Sequence, residues 1–228
     1  MKYDPKKAHP FYQKPKRAQQ IIQLKVVGIA LLIFIVSFII AWQAKTLFIA
    51  FLAFFLLMTI IAPFIDLPSS QQNGKLIYYS NFLITEKEKK GVVKIHGGTL
   101  LDYYFVLHFK WSGQQRTHYI LQQYLEGLLN LIEAYENGEF NHVKFTGTTY
   151  ILSARTAKKL GFKINKIDGI QLLLLVMNYF NLLVSNSIAK RKLAFPNLRK
   201  AISFEAELPE LIKKKQLIKA LSERLKEH

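Results

Sequence analysis

The sequence predicts an α+β protein: an N-terminal two-helix transmembrane hairpin followed by one soluble domain in which antiparallel strands pack on helices. Three observations lead there. Two uncharged apolar runs, 26–44 and 46–65, stand back to back with only Lys45 between them. A polar, proline-bearing stretch at 66–74 then breaks the hydrophobicity. Beyond it, alternating segments and segments of 3.6-residue apolar period follow one another, the signature of strands mixed with amphipathic helices.

The apolar runs are 19 and 20 residues long, close to the roughly 20 that a helix needs to cross about 30 Å of hydrocarbon. So short a loop makes the two helices antiparallel neighbours, and Gly28, Ala30, Ala50 and Ala53 allow a close approach. Trp42 stands where an interfacial anchor belongs. Neither run contains an ionisable residue, which favours an anchor over a transport path. Residues 1–20, with three prolines and six Lys/Arg, read as a basic arm that is mobile or lies on the surface. The division expected is arm 1–20, hairpin 21–65, linker 66–74 and domain 75–228.

Within the domain, strands are expected at 76–84, 91–96 and 100–110, the first two joined by a charged turn and the next two by Gly97-Gly98. That hairpin would pair His96 with Thr99, putting Leu101, Tyr103 and Phe105 on the core face and Asp102 and His108 on the other. An apolar stripe through Ile120, Leu128 and Ile132 predicts a helix over 115–135, with Asn137-Gly138 as its stop. A short hairpin of 142–146 with 149–152 around Gly147 is expected next, then a helix capped by Ser153 and ended by Gly161, then a strand at 162–167. Residues 170–188 are uncharged but carry Gln171, Asn178, Asn181, Ser185 and Asn186. A buried or surface-embedded helix is expected there, with a third crossing as the alternative, since asparagines are costly at membrane depth. A strand at 200–204 and an amphipathic helix from Pro209 complete the chain.

The net charge is +17. Residues 1–25 hold seven Lys/Arg against one acid, while the loop between the apolar runs holds only Lys45. The positive-inside rule therefore puts the N-terminus, and after two crossings the domain, in the cytoplasm. The abundance of Lys, Ile, Asn and Phe suggests a bacterial chain, hence a bacterial cytoplasmic (inner) membrane. Residues 66–228 carry 24 Lys/Arg and 14 Asp/Glu, an excess suited to anionic lipid headgroups. The partners expected are the lipid bilayer and its anionic headgroups, then a protein in the membrane or cytoplasm, with nucleic acid ranked last. The headgroup-facing candidates are Lys158, Lys159, Lys163, Lys190, Arg191 and Lys192.

Cysteine is absent, which excludes disulfides, thiolate metal sites and cysteine nucleophiles. No cofactor, metal or catalytic residue is assigned. His118 lacks a partner at metal-ligand spacing, and on the expected register Asp102 and His108 lie roughly 20 Å apart. His96-Gly97-Gly98-Thr99 resembles an oxyanion-hole segment without a GxSxG nucleophile elbow, and 145–149 lacks the lysine of a phosphate loop. The function expected is a membrane-anchored binding, adaptor or regulatory module at the cytoplasmic face. The alternative is a hydrolase or transferase acting on lipid or envelope substrates, its site assembled from His96, His118 and 148–155.

Overall fold

In the computed structural model, residues 3–136, 138 and 143–226 are described. A short helix α1 (Pro5–Ala8) precedes the hairpin of α2 (Lys16–Gln43) and α3 (Phe48–Gln72). Both long helices are apolar enough to cross a membrane. They close on buried Ala30, Ala41 and Ala50, and the chain reverses through Lys45 at φ 52°.

Helix α3 contains Pro63 and Pro68, and each lacks the N–H that would bond the carbonyl four residues earlier. Both orphaned carbonyls find side-chain amides instead. Gln23 Nε2 on α2 donates to Phe64 O at 2.9 Å, and Asn181 Nδ2 donates to Thr59 O at 2.5 Å. The stretch expected as a linker is the end of α3, with Leu67 and Pro68 buried against the domain. Gly74, at φ 65°, ends the run.

The expected strand 76–84 is itself a hairpin, β1 (Leu76–Tyr78) and β2 (Leu83–Glu86), in which Tyr78 pairs with Ile84. Its turn is fixed by the Ser80 hydroxyl, which accepts from the Phe82 and Leu83 amides and donates to Gln123 O. Strand β3 (Val92–Gly97) follows as expected. The strand expected at 100–110 is not formed: helix α4 (Leu100–Val106) stands there, opened by a capping box between Thr99 and Asp102. That reciprocal bonding supplies two donors of the first turn with partners and outweighs an alternation that fits a strand equally well. Gly97-Gly98 is thus a strand-to-helix joint, and a Cβ at Gly98 would run into the Phe82 ring. Helix α5 (Gly113–Glu136) matches expectation; Asn137 of its stop signal lies outside the described residues.

Strand β4 (Lys144–Thr149) runs straight through Gly147 where a hairpin was expected. It pairs parallel to β3, and a Cβ at Gly147 would strike Phe204, so this glycine permits close approach rather than a turn. His142 lies outside the described residues. Helix α6 (Ala154–Lys159), capped by Ser153, and β5 (Lys163–Asn165) follow as expected. The single helix expected at 170–188 is two, α7 (Gly169–Met177) and α8 (Tyr179–Lys190), meeting at 64°. Strand β6 (Ile202–Glu207), α9 (Leu208–Lys213) and α10 (Lys215–Lys226) end the fold.

The sheet order is β1-β2-β3-β4-β6-β5, antiparallel except for β3 with β4. One face presents Leu83, Val93, Ile95, Phe145 and Phe204 to α5, α6, α9 and α10, through residues such as Leu131, Ile132, Leu160, Leu211 and Ile218. The other face is divided. At β1–β2, Tyr78 and Ile84 lie under the N-terminal arm, α3 and α4, packed with Phe11, Tyr12, Phe64 and Leu101. Across β4, β6 and β5 it is a polar surface bearing Thr146, Thr148, Ser203 and Glu205 in register.

Candidate functional site

The chemically richest cluster lies where the arm enters the fold. Phe11 packs against Phe105 with ring centroids 5.1 Å apart, and neither Phe11 nor His9 is exposed. The stretch 9–12 of the arm is therefore not the mobile or surface-lying segment its composition suggests. His9 Nδ1 accepts the Phe11 amide at 3.2 Å, which leaves the proton on Nε2 to be donated to Asp102 Oδ1 at 3.1 Å. Tyr78 donates to the same oxygen at 2.8 Å, while the Thr99 amide and hydroxyl donate to Oδ2 at 2.6 and 3.0 Å. Burial first, then the Asp102 charge, pushes the Tyr78 phenol well above its ordinary range.

A His–carboxylate–Tyr set has the parts of a general base. Here His9 and Asp102 are both 0% exposed, so the set serves as a latch between arm and domain. Sequence reasoning missed it because 93 residues separate the partners. Two local signals were available: the aromatic pair Phe11-Tyr12 inside a charged segment, which disordered arms rarely carry, and the Thr99-x-x-Asp102 capping pattern.

The expected enzymatic residues are dispersed. His96, half exposed on β3, has Nε2 3.1 Å from Glu86 Oε1, with the Lys94 amine 4.0 Å from the same oxygen. Lys94 pairs with Thr146 in the parallel ladder, so His96 and Thr148, each two residues further on, share the open sheet face. His118 belongs to α5, which covers the opposite face, and lines a polar hollow of about 560 Å³ with Ser112, Gln114 and Gln115. Ser153 accepts the Thr156 amide as a helix cap. On the same open face, a 2.6 Å bond from Lys144 holds the Glu205 carboxyl below its ordinary range. Among the described residues, no group of three or more His, Asp or Glu is placed to hold a metal.

The six basic candidates fall into two sets, all exposed. Lys158 and Lys159 close α6 and Lys163 lies on β5, the sheet edge opposite the one that α3 contacts. Lys190, Arg191 and Lys192 follow α8, the helix that reaches the hairpin through Asn181. The end of α8 is held by the buried Arg116 guanidinium, which donates to Ile188 O at 2.5 Å and Phe109 O at 2.7 Å, a cation set at a helix C-terminus. Between the two sets, α7 buries none of its residues. Ile170 is 74% exposed and Leu173 57%, with Leu174, Val176 and Met177 alongside.

No protein-family model, curated protein or solved structure matches this chain.

Proposed function

We propose that the protein is a membrane-anchored binding or adaptor module, whose α+β domain works at the cytoplasmic face of a bacterial inner membrane in a fixed attitude to the bilayer. One observation carries this reading: the domain is bolted to the hairpin rather than tethered by a linker. The bolts are the His9–Asp102–Tyr78 latch, the buried end of α3, and the Asn181 bond to Thr59. A rigid coupling of this kind presents chosen surfaces to partners in or beside the membrane. The seven Lys/Arg of residues 1–25, against Lys45 alone in the far loop, support a cytoplasmic N-terminus. Lys158, Lys159, Lys163, Lys190, Arg191 and Lys192 are then the residues available to anionic headgroups.

A second reading, a hydrolase or transferase acting on lipid or envelope substrates, draws on the half-exposed His96–Glu86 pair, which shares a sheet face with Thr148. In that case His96→Ala and Glu86→Gln would each abolish function in cells while leaving the protein abundant. On the adaptor reading both variants retain function. Topology is tested with a protease-cleavable C-terminal tag in vesicles of both orientations. Cleavage only in inverted vesicles is the expected result, and cleavage only in right-side-out vesicles would overturn the cytoplasmic placement.

A further inference from the structure

We propose that α7, α8 and the loop 191–200 form a lipid site within the leaflet: α7 lies close to the membrane plane, and the groove beside it takes an anionic phospholipid. This rests on the membrane-face reading above and names the occupant of one part of that face.

Depth comes from Asn181. Its bond to Thr59 O fixes the start of α8 at a known level of α3, seven residues before Asp66. At helical rise that is about 10 Å inside the end of the apolar run. From there α8 climbs along α3 toward the domain, where Val184 and Ile188 join the cluster of Phe64 and Leu67. With α8 near the membrane normal, the 64° bend turns α7 toward the plane. Its nine residues then span only about 6 Å along the normal.

The polar groups of the bend suit an apolar medium, where backbone groups need partners within the protein. Asn178 returns both its amide and its side chain to Leu174 O, and Asp168 and Gln171 close a capping box at the other end of α7. A full third crossing is unsuited to this geometry, because Asn178 divides the segment into helices of 9 and 12 residues.

The occupant follows from the groove. Val176 and Tyr179 on the helix side and Phe195, Pro196, Leu198 and Arg199 on the loop side line an open, shallow hollow of about 640 Å³. The loop wall is built in: Asn186 donates to Ala194 O at 2.8 Å, and the Ala194 amide donates to Ser187 Oγ at 3.1 Å. From 169 to 204 the chain holds five Lys/Arg and no acid. Apolar walls, a cationic rim and continuity with the hairpin fit an acyl chain below and a phosphate above. Arg199 and Lys200 are the headgroup residues.

The chain has no native cysteine, so single cysteines can be labelled cleanly. The full-length protein, labelled with a fluorophore at Leu173→Cys, is reconstituted in phosphatidylcholine with phosphatidylglycerol in equal parts, one or the other brominated in its acyl chains. Both brominated lipids are expected to quench. Phosphatidylglycerol should be enriched at the label about fivefold for each basic residue engaged, and Arg199→Gln with Lys200→Gln should remove that preference without changing quenching by phosphatidylcholine. Quenching by aqueous iodide instead of lipid, or lipid quenching indifferent to headgroup, would overturn the proposal. A second label at Lys94→Cys, on the exposed sheet, reports separately on which side of the membrane the domain lies. Failure of the membrane-face reading is thereby distinguished from failure of the lipid site.

Discussion

The N-terminal arm and α7 have exchanged the environments that composition would assign them. The arm is basic and proline-rich, yet it delivers His9, Phe11 and Tyr12 into the interior. Helix α7 is uncharged and apolar, yet buries nothing within its own chain. The difference lies in the surface each segment meets. The arm meets a divided sheet face whose apolar half, Tyr78 and Ile84, needs a cover and whose Asp102 needs donors. Among the described residues α7 packs chiefly on α8 and the loop 191–200 and buries none of its own side chains there, which leaves its apolar face open to the lipid proposed above. Burial depends on available partners as much as on hydropathy.

The largest effect expected on the arm side comes from Asp102→Ala. It strips acceptors from His9, Tyr78 and Thr99 together and removes half of a capping box, so about 3–5 kcal/mol of domain stability should go, read by denaturant unfolding. Phe11→Ala should cost about 3–5 kcal/mol by opening a cavity against Phe105. A loss under 1 kcal/mol in either variant would mean that the arm is dispensable, and the contrast with α7 would collapse.

The proline-orphaned carbonyls of α3 hold α2 and α8, the helices that continue from the arm and from α7, to one helix. Asn181→Leu should cost about 1–2 kcal/mol by leaving Thr59 O without a partner. Pro63→Ala restores the missing N–H, so in that background the same substitution should cost much less. Equal costs in the two backgrounds would show that the amide is not compensating for the proline.

A smaller effect is set by pH. The Tyr78 phenol is raised in the folded state, so its contribution is complete below the free phenol value of about 10 and is lost as pH rises through the folded value. Stability should therefore fall in strong alkali, and Tyr78→Phe should lessen the dependence. The smallest effect belongs to Leu173→Ser, which should change unfolding of the protein in detergent by less than about 0.5 kcal/mol. A cost near that of Phe11→Ala would reveal a protein contact for α7.

The hairpin was legible because two long uncharged runs admit few other structures, and α5 because its stripe persists for more than three turns. The 100–110 segment misled because its alternation fits a strand, while the deciding signal is the local Thr99–Asp102 pair. The 76–84 segment misled similarly, since Ser80-Asn81 turns the chain through bonds to Gln123 that lie far off in sequence. The latch was legible only in fragments: the Asp102 cap is local, but His9 reaches it through tertiary packing. The basic candidates were readable as residue types, whereas their separation into two sets follows from strand order, to which composition is blind.

The arm is part of the core, and amide hydrogen exchange of the full-length protein in lipid vesicles reads this segment by segment. The Phe11 amide, bonded to His9 Nδ1, and the Gln13 amide, bonded to His9 O, should exchange as slowly as amides of β2. Exchange of these amides at the rate of an unstructured peptide, while β2 stays protected, would contradict it.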